Sequence, residues 1–200
     1  MKKILFVVLA SSLILSSCSN DENNNTLTPI TESEKNDLIF LREEEKLARD
    51  VYVYAYNKYQ ISIFNSITQS EQKHMDSVLS LLNKYNITDP ATIKLGVFNN
   101  QDLQILYNNL KIQVDISSVE ALKVGATIED LDINDIDDFT INTTKPDLLN
   151  VYDNLLCGSK NHIRSFTTQL SSINVTYVPQ FISFEEYNTI LNSPNSGCNN

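Results

Sequence analysis

The chain has only two histidines, and both fall on the apolar stripe of a helix-like run. In "FNSITQSEQKHMDSVLSLLNKY", residues 64–85, Glu71 and His74 stand three positions apart and therefore share one helix face. In "GSKNHIRSF", His162 follows Ser159 at the same spacing. A carboxylate and an imidazole side by side are ligands for a divalent ion of the iron, manganese or zinc type. They are also a plain ion pair, and Glu-x-x-His by itself is a common spacing. What decides between these readings is where the other polar residues of the chain fall.

Four runs carry a helical period, and each is interrupted by polar residues near its middle. The first reads Leu38, Leu41, Glu45, Ala48, Tyr52, Ala55, Tyr59, with Ser33 as a candidate cap and Glu34 in its first turn. The second reads Phe64, Ile67, Glu71, His74, Val78, Leu81, Tyr85. The third reads Val119, Leu122, Ala126, Glu129, Ile133, Ile136, capped by Ser117 or Ser118. The fourth, opened by Pro146, reads Leu148, Tyr152, Leu155, Ser159, His162, Phe166. A lone buried carboxylate costs several kcal/mol unless it is paired or coordinated. Glu45, Glu71, His74, Glu129 and His162 therefore call for one shared explanation. Folding the first two runs about "NKYQIS" brings Glu45 level with Glu71, and folding the last two about "TKPD" brings Glu129 level with His162. The expected fold is all-α: an antiparallel four-helix bundle of two helix hairpins joined by a long crossover from Tyr85 to Ser117, with a short helix at "NQDLQILYNNLK".

Other residues take blander readings. Glu43 and Glu44 fall off the first stripe and are expected in solvent. Arg42, Lys46 and Arg49 are expected to face solvent or pair with neighbouring acids. Asp132, one turn from Glu129, is a candidate further ligand; the alternative is that "EDLDINDIDD" is an exposed acidic face. Ser159 reads as a small packing residue, and Tyr52 and Tyr152 as core, with a role beside the site as the alternative. A Ser-His-Asp hydrolase built on Ser159 and His162 is disfavoured, because a nucleophile on a helix face is not presented on a turn.

The net charge of −10 argues against a nucleic-acid partner. No glycine-rich phosphate loop, CxxC or HExxH is present, and there are only four glycines. Residues 1–17, with "MKK", an apolar run and "LSSC", have the form of a lipoprotein signal peptide, which makes Cys18 the lipidation site. Residues 18–33 form a polar tether expected to be disordered, 34–190 the bundle, with a short helix at "SFEEYNTILN", and 191–200 a flexible tail. The expected location is the cell envelope, lipid-anchored at the outer membrane, with the membrane engaged only through the lipid. Cys157 and Cys198 are either a disulfide or, for Cys157, a buried small hydrophobe.

With these segments in place, "LREEEKLARDVY", "SEQKHMDSVLSLL", "GVFNNQDLQILYNNL", "ALKVGATIEDLDI" and "GSKNHIRSF" resemble the ferritin-like superfamily, and more narrowly a bacterial branch known as a domain of unknown function. The resemblance runs from about Leu38 to Tyr187. Glu45, Ala48 and Tyr52 match the first-helix pattern, Glu71 and His74 the second-helix Glu-x-x-His, Glu129 the third-helix Glu and His162 the fourth-helix His. The departure is Ser159, where the di-iron pattern has a carboxylate. The resemblance implies one or two iron ions as cofactor, with manganese or zinc as alternatives, and reaction with oxygen, peroxide or Fe(II). An enzyme of this kind is a non-haem iron or manganese oxidoreductase. Two other functions stay open: a non-catalytic surface lipoprotein with a single structural or sequestered metal, and a metal-free helical adaptor. Partners are metal ions, and a homodimer is compatible with the pattern.

Overall fold

The computed structural model describes residues 28–195 and 197–198. The expected signal peptide, Cys18 and the tether up to residue 27 lie outside them. The described residues form six helices and no strand: α1 (Glu32–Tyr59), α2 (Ser62–Lys84), α3 (Gln101–Ile116), α4 (Ser118–Ile141), α5 (Pro146–Ser172) and α6 (Phe184–Asn192). None of them is long and apolar enough to cross a membrane.

The helix starts follow from local chemistry. Thr31, rather than Ser33, caps α1, and its side chain and backbone exchange hydrogen bonds with Glu34 in a capping box. Ser117 caps α4 and Asn100 caps α3. Pro146 opens α5, where its missing N–H is no loss. Gln60 ends α1 with a left-handed backbone, φ 55°, which turns the chain directly into α2.

The four long helices pack as neighbours in the pairs α1–α2, α4–α5, α1–α4 and α2–α5. Each pair runs antiparallel. Arg49 meets Gln72 while Arg42 meets Met75, and Phe166 packs on Phe64 while Lys84 reaches Asp147. Their apolar side chains form two clusters. One holds Leu38, Leu41, Val78, Leu82, Ile136, Leu148 and Tyr152; the larger one holds Tyr52, Phe64, Ile133 and Phe166 together with the faces of α3 and α6. Each fully buried side chain of this size contributes about 1.5–3 kcal/mol. The polar interruptions of the four stripes lie between the two clusters.

The crossover corrects the expectation that Glu43 faces solvent; of the cations expected to face solvent or pair with neighbouring acids, Lys46 and Arg49 do pair with Asp50, while Arg42 pairs with Asp89 of the crossover. Residues 86–117 lie over the outer side of α1, with Leu103, Tyr107, Leu110 and Val114 of α3 buried. Backbone N–H groups of Asn99 and Asn100 donate to the two oxygens of Glu43 at 2.7 and 2.9 Å. Lys46 pairs with Asp50 and donates to the Lys94 carbonyl, and the Gly96 N–H donates to Asp50. Arg42 grips both oxygens of Asp89 and donates to the Met75 carbonyl at 2.7 Å. Arg49, half-buried, pairs with Asp50 and Gln72. Charges placed on α1 are thus consumed as anchors for the overlying chain.

The acidic run on α4 is likewise not an exposed face throughout. Asp130 is fully buried and accepts from the Tyr177 hydroxyl and the N–H groups of Gln180, Phe181 and Ile182, which docks the segment leading to α6. Beyond α6, Cys198 forms a disulfide with Cys157 of α5. Asp130→Ala leaves three backbone donors and a phenol without their acceptor. We expect a loss of about 2–4 kcal/mol in denaturant unfolding, against about 1 kcal/mol for Tyr177→Phe.

Candidate metal centre

The five residues expected as ligands meet in one layer. Glu45 comes from α1, Glu71 and His74 from α2, Glu129 from α4 and His162 from α5. Glu71 stands between the histidines: its Oε2 lies 2.8 Å from His74 Nδ1 and its Oε1 lies 2.9 Å from His162 Nδ1. Glu45 Oε2 closes the first group at 3.2 Å from His74 Nδ1, and Glu129 Oε2 the second at 3.3 Å from His162 Nδ1. Within each group, Glu45–Glu71–His74 and Glu71–Glu129–His162, ligand atoms lie within 4.8 Å of one another. The imidazoles stack with centroids 5.6 Å apart.

Local sequence explains why the side chains reach these places. Glu71 and His74, one turn apart on α2, point to the same side. A Cβ on Gly158 would sit 2.5 Å from His74 Nε2, so only glycine lets α5 pass behind that ring. Tyr52, two turns along α1 from Glu45, donates its hydroxyl to Glu129 Oε1 at 2.6 Å and fixes that carboxylate across the α1–α4 interface. Tyr52 therefore sits beside the site as well as in the core, whereas Tyr152 belongs to the smaller apolar cluster. The Ser159 hydroxyl turns back to the Leu155 carbonyl, so α5 presents one ligand-type side chain to the layer.

The electrostatics are those of a mutually neutralising network. Burial works against every charge here, yet His162 and His74 hold Glu71 well below the ordinary carboxylate range. Burial likewise opposes protonation of His162, but Glu71 and Glu129 push its pKa up to about 10. His74 is raised by Glu71 and Glu45 against the same opposition. Burial drives Glu45 upward against the pull of His74, and Glu129 upward against the pull of His162. The network is incompletely satisfied. Glu45 Oε1 and both Glu71 oxygens accept no well-directed hydrogen bond, although Glu71 is within ion-pair distance of both rings. Close oxygen and nitrogen atoms lacking directed donors form a set that a cation fits.

Two acids extend the layer. Asp132, the candidate further ligand, is buried, and so is Glu44, which the periodicity sends to solvent. Periodicity gives no signal for Glu44, which lies beside Glu45 and Asp135 where α1 meets α4. On the opposite side, between α2 and α5, a cleft lined by Ser77, Ser80, Asn150 and Asn154 reaches His74.

Comparison with known proteins places this architecture. The uncharacterized protein MJ0754 of Methanocaldococcus jannaschii is 52% identical over 166 residues, covering 82% of this chain and 90% of that protein. The crystal structure of hypothetical protein MJ0754 from Methanococcus jannaschii matches with a TM-score of 0.83 at 50% identity, covering 84% of this chain and 97% of that one. Residues 34–194, which include every residue of the layer, match the family described as an uncharacterized protein domain (DUF2202). The chain belongs to the DUF2202 family.

Proposed function

We propose that the chain is a ferritin-like metal-binding protein that holds two ions of the iron type, one between Glu45, Glu71 and His74 and one between Glu71, Glu129 and His162. The observation that carries this reading is the position of Glu71, whose two oxygens each face a different histidine Nδ1. A carboxylate so placed would serve an ion on either side. The pairing of the long helices, with a long connection between the second and third of them, supports a ferritin-like four-helix bundle. Oxygen and imidazole donors without thiolate suit iron, manganese or zinc.

A redox-active ion pair in such a layer supplies the chemistry for reaction with oxygen, peroxide or Fe(II). The chain's own residues supply position and access. Tyr52 locks Glu129, Gly158 leaves room for the His74 ring, and the cleft at Ser77 and Asn154 gives a small polar molecule a path to that ring. Ser159 makes the site asymmetric, with Glu71 as the shared carboxylate and no second one from α5. A non-catalytic protein that sequesters the same ions is the alternative, favoured by the near-complete burial of the layer: His74 is 5% and His162 8% exposed. The "LSSC" motif supports anchoring of the chain to the cell envelope through a lipid on Cys18.

Elemental analysis of full-length protein purified without chelator is expected to give about two ions per chain, matching the two ligand groups. Glu71→Ala should lose both, whereas Glu45→Ala should lose one. Unchanged metal content in His74→Ala would sink the reading. Anaerobic Fe(II) loading followed by oxygen or peroxide then separates a reactive site from a sequestering one.

The metal-free protein has a distinct pH signature. His162 has its folded pKa raised from 6.5 to about 10, so its contribution is complete below 6.5 and is lost as the pH rises through 10. The raised His74 acts in the same sense. Glu71, being depressed, contributes above its ordinary value of 4.5 and loses that contribution only on acidification. We therefore expect the thermal midpoint of chelator-stripped protein to fall by roughly 5–10 °C between pH 6.5 and 10. Metal-loaded protein should not show this fall, because loading displaces the imidazole protons. A flat profile for the stripped protein would contradict a histidine–carboxylate network of this kind.

A further inference from the structure

Two buried carboxylates are left over once the centre is assembled. Glu44 lies beside Glu45 on α1, and Asp132 lies one turn beyond Glu129 on α4; each is 1% exposed. None of their four oxygens accepts from an N–H or hydroxyl group, and the one side chain within hydrogen-bonding reach of Glu44 is another carboxyl, Asp135. A buried carboxylate with neither donor nor counter-charge is strongly unfavourable. The cationic side chains at this level of α1 are committed elsewhere. Arg42 is bound to Asp89 and the Met75 carbonyl, Lys46 to Asp50 and the Lys94 carbonyl, and Arg49 to Asp50 and Gln72.

What faces the two acids is more negative charge. The register that sets Phe40 on Phe139 and Tyr52 on Glu129 places Glu44 opposite Asp135, one turn from Asp132. Beyond the effect of burial, Glu44 feels the charges of Asp135 and Glu45, and Asp132 those of Glu44, Glu45, Glu129 and Glu71. Asp135 is only half-buried. The α1–α4 interface thus carries a continuous line of carboxylates, from Asp135 near the surface through Glu44 and Asp132 to Glu45 and Glu129.

We propose that Glu44 and Asp132, with Asp135 at the outer end, form a further divalent-cation position through which ions reach the centre. This rests on the metal centre of Glu45, Glu71, His74, Glu129 and His162. Oxygen-only donors suit a hard cation such as Mn(II) and hold a borderline one such as Fe(II) less firmly than a set that adds imidazole. An ion taken up here therefore has a gradient toward Glu45–His74 and Glu129–His162. The position is separate from the Ser77–Asn154 cleft on the α2–α5 side, so cations and small neutral molecules approach the layer from opposite faces.

The test is stopped-flow loading of chelator-stripped full-length protein with Co(II), followed by the visible bands of the bound ion. Glu44→Gln and Asp132→Asn keep shape while removing charge. Each should slow loading by about tenfold or more, with the final count of ions at the centre unchanged. Asp138→Asn, an exposed acid on the same helix, should load like the wild type and so controls for general surface charge. Wild-type rates in both buried variants would overturn the inference. A final count that falls together with the rate would make these acids permanent ligands and overturn the transit role. Failure of the wild type to take up Co(II) at all would instead overturn the centre itself. Crystals of the wild-type protein at saturating Mn(II) give a readout independent of any variant: anomalous density is expected between Glu44 and Asp132, and its absence there would reject the position.

Discussion

A single carboxylate, Glu71, has an imidazole on each of its two oxygens, and the four long helices are held at the spacing this contact requires. Glu71 and His74 come from α2, His162 from α5, and the acids that complete each group from α1 and α4. The contact therefore spans the assembly in both directions. Its energetic logic is unusual for a helical core. Five carboxyl groups at 1% exposure or less (Glu44, Glu45, Glu71, Glu129 and Asp132) share a layer with two imidazoles. Two protonated rings do not neutralise five acids, so the layer is stable only with protons, cations or both. The apolar clusters on either side exclude the water that would otherwise screen these charges. Low screening is what makes the pairings strong and the leftovers costly.

Much of this layer is legible in residue type and spacing. The stripes predict four long helices because their period is carried by large apolar residues such as Leu38, Phe64, Ile133 and Phe166, whose burial outweighs local preference. The ionisable interruptions can be matched across each hairpin because residues level with one another are equidistant from the turn. The structure groups Glu45 with Glu71 and His74 and sets Glu129 3.3 Å from His162, in line with that matching. Cap residues are less legible. Ser33 and Thr31 are equally good caps by type, and only the return bond from Glu34 selects Thr31.

What a stripe does not reveal is which of its flanks is covered from outside. A period of 3.6 finds the face turned to the apolar core. It is silent about a second layer laid over the opposite face. Periodicity sends Glu43 to solvent for this reason, and the backbone of Asn99 and Asn100 covers it, while Glu44 is buried where α1 meets α4. Asp130 escapes notice likewise, because its partners at 177–182 are largely backbone N–H groups with no signature in residue type. The disulfide between Cys157 and Cys198 is one of two alternatives in the sequence, since a separation of 41 residues fixes no geometry.

Helix α1 borders α2, α3 and α4, and its hydrogen bond from Tyr52 to Glu129 joins residues 77 apart in the chain. It is synthesised before every partner it buries, so its acidic side must wait in water for the rest of the chain. A helix with an apolar flank there would be sticky throughout that interval. The charged run "REEEK" instead keeps the early chain hydrated until α3 and α4 arrive. The residues that make the finished layer electrostatically demanding thus also delay its closure, which favours an order of folding in which α1 is sealed last from its outer side.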